Sequence, residues 1–106
     1  MTNTDCLIDF SSIDWTTPAD GVRTKEVIRG GNRLRLIEFS EQFKEADWCK
    51  SAHAGYVVDG ELTLEFVDVT VKFKSGDALF LPPGESTKHK AHVTNGKATL
   101  FVVEKA

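Results

Sequence analysis

Short apolar runs, separated by glycine, proline, asparagine or aspartate, dominate this chain. Within many of them apolar and polar residues alternate, which is the period of a strand with one buried face. Residues 7–15 carry Leu7, Ile8, Phe10, Ile13 and Trp15 without a sustained period and read as an edge strand or as an arm packed on the domain or on a second subunit. Thr16 to Gly21 is a turn by composition. A strand from about Arg23 then ends at Gly30-Gly31-Asn32, which is hairpin chemistry. Arg33 to Phe39 is the next strand, with Leu34, Leu36 and Glu38 on one face and Arg33, Arg35, Ile37 and Phe39 on the other. Neither face is cleanly apolar, as in a barrel wall. Ser40 to Ala46 reads as a loop.

Strands resume at His53, and Asp59-Gly60 marks a tight turn before Leu62-Thr63-Leu64-Glu65-Phe66. The apolar parity then changes from even (Leu62, Leu64, Phe66) to odd (Val67, Val69, Val71, Phe73), so a hairpin is expected around Asp68. Further turns fall at Ser75-Gly76-Asp77, at Pro82-Pro83-Gly84 and at Asn95-Gly96. Between them lie strands over Ala78–Leu81, Lys88–Val93 and the β-prone run Ala98–Val103. Strands spaced about 8 to 12 residues apart, with no competing helical period, predict an all-β sandwich or barrel.

A chain of 106 residues has room for one core. Hydrophobic residues at 41% and charged residues at 27% are ordinary for a globular domain. The 13 basic residues are scattered against 16 acidic ones, which argues against nucleic acid as a partner. Arg29, Arg33 and Arg35 read as a solvated strand face. No stretch approaches the length of a membrane span, and the N-terminus lacks the basic start and apolar core of a secretory signal, so a cytoplasmic protein is expected. Pairing of Cys6 with Cys49 stays open.

Residues two or four apart on a strand point the same way, so Cys49 and His53 can face one interior, with Asp47 beside them. His89 shares parity with Thr87 and can meet them from another strand. A thiolate, two imidazoles and a carboxylate suit zinc or ferrous iron, and three protein ligands would leave a position open for water or substrate. The same residues also suit structural roles: a buried cysteine packs as a small hydrophobe, Asp47 can cap a loop, and a barrel histidine can bond its neighbours. His92 and Tyr56 are out of phase with His89 and His53 and are expected to point outward. Of Arg35 and Glu38 only one can line the interior, and Arg35 is retained as a ligand contact with His53, His89 and Thr87.

The glycine spacing from Asp47 to Asn95 resembles the cupin superfamily. The first cupin motif has His-x-His, three or four residues, a glutamate, six residues and a glycine. Counting back from Gly60 puts His53 at the glutamate position; Asp47 and Cys49 then fall on the histidine positions with the shorter spacer, Ala46 and Trp48 with the longer. The second motif has glycine, five residues, Pro-x-Gly, two residues and histidine. Gly76, Pro82 and Gly84 match it, but Thr87 takes the histidine position and His89 comes two residues later.

The resemblance implies a single double-stranded β-helix (jelly-roll) barrel over residues 23–106, preceded by an arm or edge strand over residues 1–22. It implies a small molecule bound in the barrel interior, with a divalent metal (zinc, iron, nickel or manganese) as the expected cofactor on Asp47, Cys49, His53 and His89. Exposed edge strands commonly pair with a second copy, so a homodimer with the N-terminal arm crossing over is expected. The alternative is a metal-dependent oxygenase, isomerase or lyase. No Ser-His-Asp order, phosphate-binding glycine loop or helix-borne zinc motif is present in the sequence.

Overall fold

The computed structural model describes residues 3–106. Nine strands follow one another: β1 (Thr16–Ala19), β2 (Val22–Arg29), β3 (Asn32–Ser40), β4 (His53–Asp59), β5 (Glu61–Phe66), β6 (Thr70–Lys74), β7 (Ala78–Leu81), β8 (His89–His92) and β9 (Lys97–Lys105). They form a six-stranded sheet in the order β1-β2-β3-β9-β4-β7 and a three-stranded sheet in the order β6-β5-β8. Every pairing is antiparallel. The two sheets enclose one core in a jelly roll, as the alternation and the cupin spacing predict. Among the described residues no helix is long and apolar enough to cross a membrane.

The alternation selects the core. Inward positions supply Ile37 from β3, Val57 from β4, Leu62 and Leu64 from β5, Leu79 and Leu81 from β7, and Ala98, Leu100 and Val102 from β9, all buried. Tyr56 is half exposed on the outer face, as its parity predicts. The parity break after Phe66 is a hairpin between β5 and β6, closed by the Phe66 N–H donating to the Val69 carbonyl at 2.8 Å.

Turn chemistry finds the bends but not always the pairing. Gly30 and Gly31, both at positive φ, close a two-residue hairpin in which Arg29 faces Asn32. Asp59-Gly60 and Asn95-Gly96 bend the chain equally sharply, yet each carries it from one sheet to the other. Gly60 is irreplaceable in its corner: its φ is +78°, and a Cβ there would run into the Lys97 carbonyl.

The N-terminal reading needs correction. Thr16–Ala19 is a strand, not a turn, and residues 10–12 form a single 3₁₀ turn rather than an edge strand. Residues 10–15 lie against the outer face of the large sheet, and residues 1 and 2 of the expected arm fall outside the described residues. Phe10 sets its ring edge-on to Phe101, the Phe10 carbonyl accepts from Lys25 Nζ at 2.7 Å, and Trp15 lies under Arg23. No disulfide joins Cys6 and Cys49.

Leu62 is almost wholly enclosed where the sheets meet, whereas Phe80 is 78% exposed on the outer face. Leu62→Ala should lower unfolding free energy by about 2–5 kcal/mol. Phe80→Ala should stay within about 0.5 kcal/mol of the parent. Urea titration of both variants checks the contrast, and equal midpoints would remove the assigned core.

Candidate functional site

Three elements converge at one end of the barrel. The loop before β4 carries Cys49, β4 opens with His53, and β8 opens with His89. The loop is fastened to β8 by a reciprocal pair of backbone hydrogen bonds: Cys49 N–H donates to the His89 carbonyl at 2.8 Å, and His89 N–H donates to the Cys49 carbonyl at 2.9 Å. Gly84 N–H donates to the Lys50 carbonyl, and Glu85 bridges Lys50 and Lys88 on the surface. Trp48 turns outward beneath Lys88 and Lys90, which leaves Cys49 facing in.

Cys49 Sγ and the ligating nitrogens of His53 and His89 all lie within 4.8 Å of one another. Each imidazole has its other nitrogen close to an oxygen, His89 within a hydrogen bond and His53 within an ion-pair distance. His89 Nδ1 is 3.0 Å from the Thr87 carbonyl oxygen, which can only accept, so Nδ1 carries the proton and Nε2 the lone pair. His53 Nδ1 lies 2.8 Å from Glu104 Oε2, and Glu104 Oε1 lies 2.6 Å from Arg35 Nη2. His53 Nε2 therefore points at Cys49 Sγ, 3.6 Å away.

These residues fit a metal ion. A tetrahedral zinc with ordinary Zn–S and Zn–N bonds separates its sulfur and nitrogen ligands by about 3.6 Å. Imidazoles whose outer N–H is held by a carboxylate or a carbonyl are the usual oriented form of a metal-binding histidine. Cys49, His53 and His89 could hold such an ion, with Glu104 and the Thr87 carbonyl fixing the rings. Burial pushes the His53 pKa below its ordinary value; Glu104 opposes that shift, and His89 and Arg35 add to it.

The triad lines a cavity of about 460 Å³ between the two sheets. Leu62, Leu64, Leu79, Leu81, Leu100 and Val102 supply much of its apolar wall, and Arg33, Arg35 and Glu104 give it polar groups. That size is typical of small-molecule sites.

The predicted residues separate into two groups. Cys49, His53 and His89 come together, and Arg35 lines the same cavity. Asp47 does not join them: the chain is not extended before Cys49, so the strand alternation stops there and Asp47 is exposed. Thr87 lies outside the cavity lining, at the end of a 3₁₀ turn over Glu85–Thr87 that spends its hydroxyl on the Pro82 carbonyl at 2.6 Å; its carbonyl, not its side chain, serves the site. Arg35 faces inward rather than standing on a solvated face, whereas Arg33 lines the cavity with its side chain still 37% exposed. Sequence reasoning missed Glu104, although Ala98, Leu100 and Val102 share its parity. Glu45 was also missed; its Oε1 accepts from Ala91 N–H at 2.7 Å beside the cavity.

Comparison with known proteins agrees with this architecture. The family model described as the EutQ-like cupin domain matches residues 38–99. Among solved structures, the EutQ protein of Clostridium difficile superposes with a TM-score of 0.66 at 22% identity, covering 99% of this chain and 79% of that one. An RmlC-like cupin from Shewanella frigidimarina gives 0.73 at 18% identity, covering 91% and 86%. The polyketide cyclase RemF from Streptomyces resistomycificus gives 0.75 at 19% identity, covering 93% and 78%. At these identities the likeness is one of fold. No curated protein matches the chain by sequence.

The lowered His53 pKa has a sign for stability in the metal-free protein. The unfolded chain takes up a proton near the ordinary imidazole value of about 6.5, and the folded chain resists it until lower pH. Stability should therefore fall as pH drops below about 6.5. Urea midpoints of the metal-free protein at successive pH values should decline over that window and decline less in His53→Gln; equal slopes in the two proteins would refute the assignment.

Proposed function

The chain belongs to the EutQ-like cupin domain family, and from that premise we propose that it holds a divalent metal on Cys49, His53 and His89 and binds a small organic molecule in the cavity beside it. The observation that carries this reading is the convergence of one sulfur and two imidazole nitrogens whose rings are already oriented from behind by Glu104 and the Thr87 carbonyl. All three positions depart from the common cupin pattern: with the shorter spacer cysteine stands where the first motif has histidine, His53 stands where it has glutamate, and His89 lies two residues past the second motif's histidine. The donor set of one thiolate and two neutral imidazoles favours zinc or ferrous iron over manganese, which prefers oxygen ligands.

Three protein ligands leave a coordination position open. A bound metal there would act as a Lewis acid toward a carbonyl or phosphoryl oxygen, or would lower the pKa of a water. The chain's own residues would do the rest: the leucine wall excludes water, Glu104 keeps the His53 ring in place, and Arg35 offers charge at the cavity surface. A catalytic role is the second reading. It is favoured by that open position and by a fold neighbour that is itself named as a polyketide cyclase.

Metal analysis of protein purified without chelator or immobilised nickel tests the proposal. Near-stoichiometric metal is expected in the parent and loss of most of it in the His53→Ala, His89→Ala double variant, with Asp47→Ala retaining the parent content. No metal after supplementation with zinc or ferrous iron would overturn it.

A further inference from the structure

Beside the triad the cavity carries donors that a metal would not use. Arg33 and Arg35 sit two residues apart on the inward face of β3, and both line the cavity. Each has a carboxylate neighbour: Arg33 Nε lies 3.4 Å from Glu26 Oε1, and Arg35 Nη2 lies 2.6 Å from Glu104 Oε1. The Nε of both is nevertheless shielded from solvent and makes no hydrogen bond among the described residues. A buried donor without a well-aligned acceptor is costly: Arg35 Nε has none, and Arg33 Nε has only the long contact to Glu26.

The guanidinium edge that presents Nε and one Nη matches the paired oxygens of a carboxylate or phosphoryl group. Glu45, the other carboxylate lining the cavity, has one oxygen committed to the Ala91 N–H. Glu104 is shared between Arg35 and His53, so Arg35 stands one carboxylate's width from the triad. A molecule touching both is therefore small. The leucines facing it offer apolar contact and no competing donor.

We propose that the cavity's ligand is a small organic anion whose carboxylate or phosphoryl oxygens are received by the Nε–H groups of Arg33 and Arg35, with its body against the inward leucines. This rests on reading the cavity as a ligand site but not on the metal, because the contacts invoked belong to the arginines.

Calorimetric titration of the full chain, zinc-loaded and zinc-free, with acetate, pyruvate, benzoate and glycerol 3-phosphate tests it, with acetamide, benzamide and glycerol as uncharged counterparts. At least one anion should bind saturably where its uncharged counterpart does not. Its affinity should fall about tenfold or more in Arg33→Gln and in Arg35→Lys, which keeps a cation beside Glu104 while removing the planar edge. Circular dichroism confirms that both variants fold. Binding confined to the carboxylates or to the phosphate ester identifies which group the arginines receive. No saturable anion, equal binding of uncharged counterparts, or unchanged affinity in both folded variants would overturn the proposal. Metal content of the same samples reports separately on the triad, so anion binding by protein that takes up no zinc would refute the metal alone.

Discussion

A carboxylate held nine-tenths out of water at the end of an apolar strand has to be answered by its neighbours, and Glu104 is answered from two strands at once. β9 runs between β3 and β4, so Arg35 reaches it from one side and His53 from the other. Taking away one partner of such a buried ionic group typically costs about 3–5 kcal/mol, because the group left behind stays buried. The same contact lies behind the His53 ring, whose other nitrogen is 3.6 Å from Cys49 Sγ. The triad and the basic part of the cavity thus share one side chain.

Much of the scaffold was legible because a jelly roll repeats one instruction, apolar in and polar out, along each strand. That instruction correctly sent Ile37, Val57, Leu62 and Leu100 inward and Tyr56 outward. It also sends Glu104 inward, but the residue lies just past the conspicuous run Ala98–Val103, and an acidic residue near a strand end looks solvated until its cross-strand partners are known. Asn95-Gly96 and Asp59-Gly60 illustrate a second limit. Both dictate a sharp reversal through a positive-φ glycine, yet whether the next strand pairs with the last one or joins the opposite sheet depends on which faces must be covered, a property of the whole chain.

The site was legible in its parts and not in its register. Cys49, His53 and His89 were identifiable from spacing on strands, whereas Asp47 was carried along by an extended geometry that the loop does not have. The cupin corners persist at Gly60, Gly76 and Gly84, all at positive φ, because only glycine adopts those conformations cheaply. Ligand positions carry no such backbone demand. A scaffold can therefore keep its corners while its chemistry moves, which is why the fold here follows the family's spacing more closely than the donor set does.

The backbone clasp between Cys49 and His89 ties two of the triad's three donors to each other's main chain. Peeling the loop away from β8 would scatter the donor set, and keeping the loop seated keeps all three donors aimed at one point. Any ion lodged there would owe the alignment of its donors to two amide hydrogens on a surface segment, so the grip of the site would be only as lasting as that pair.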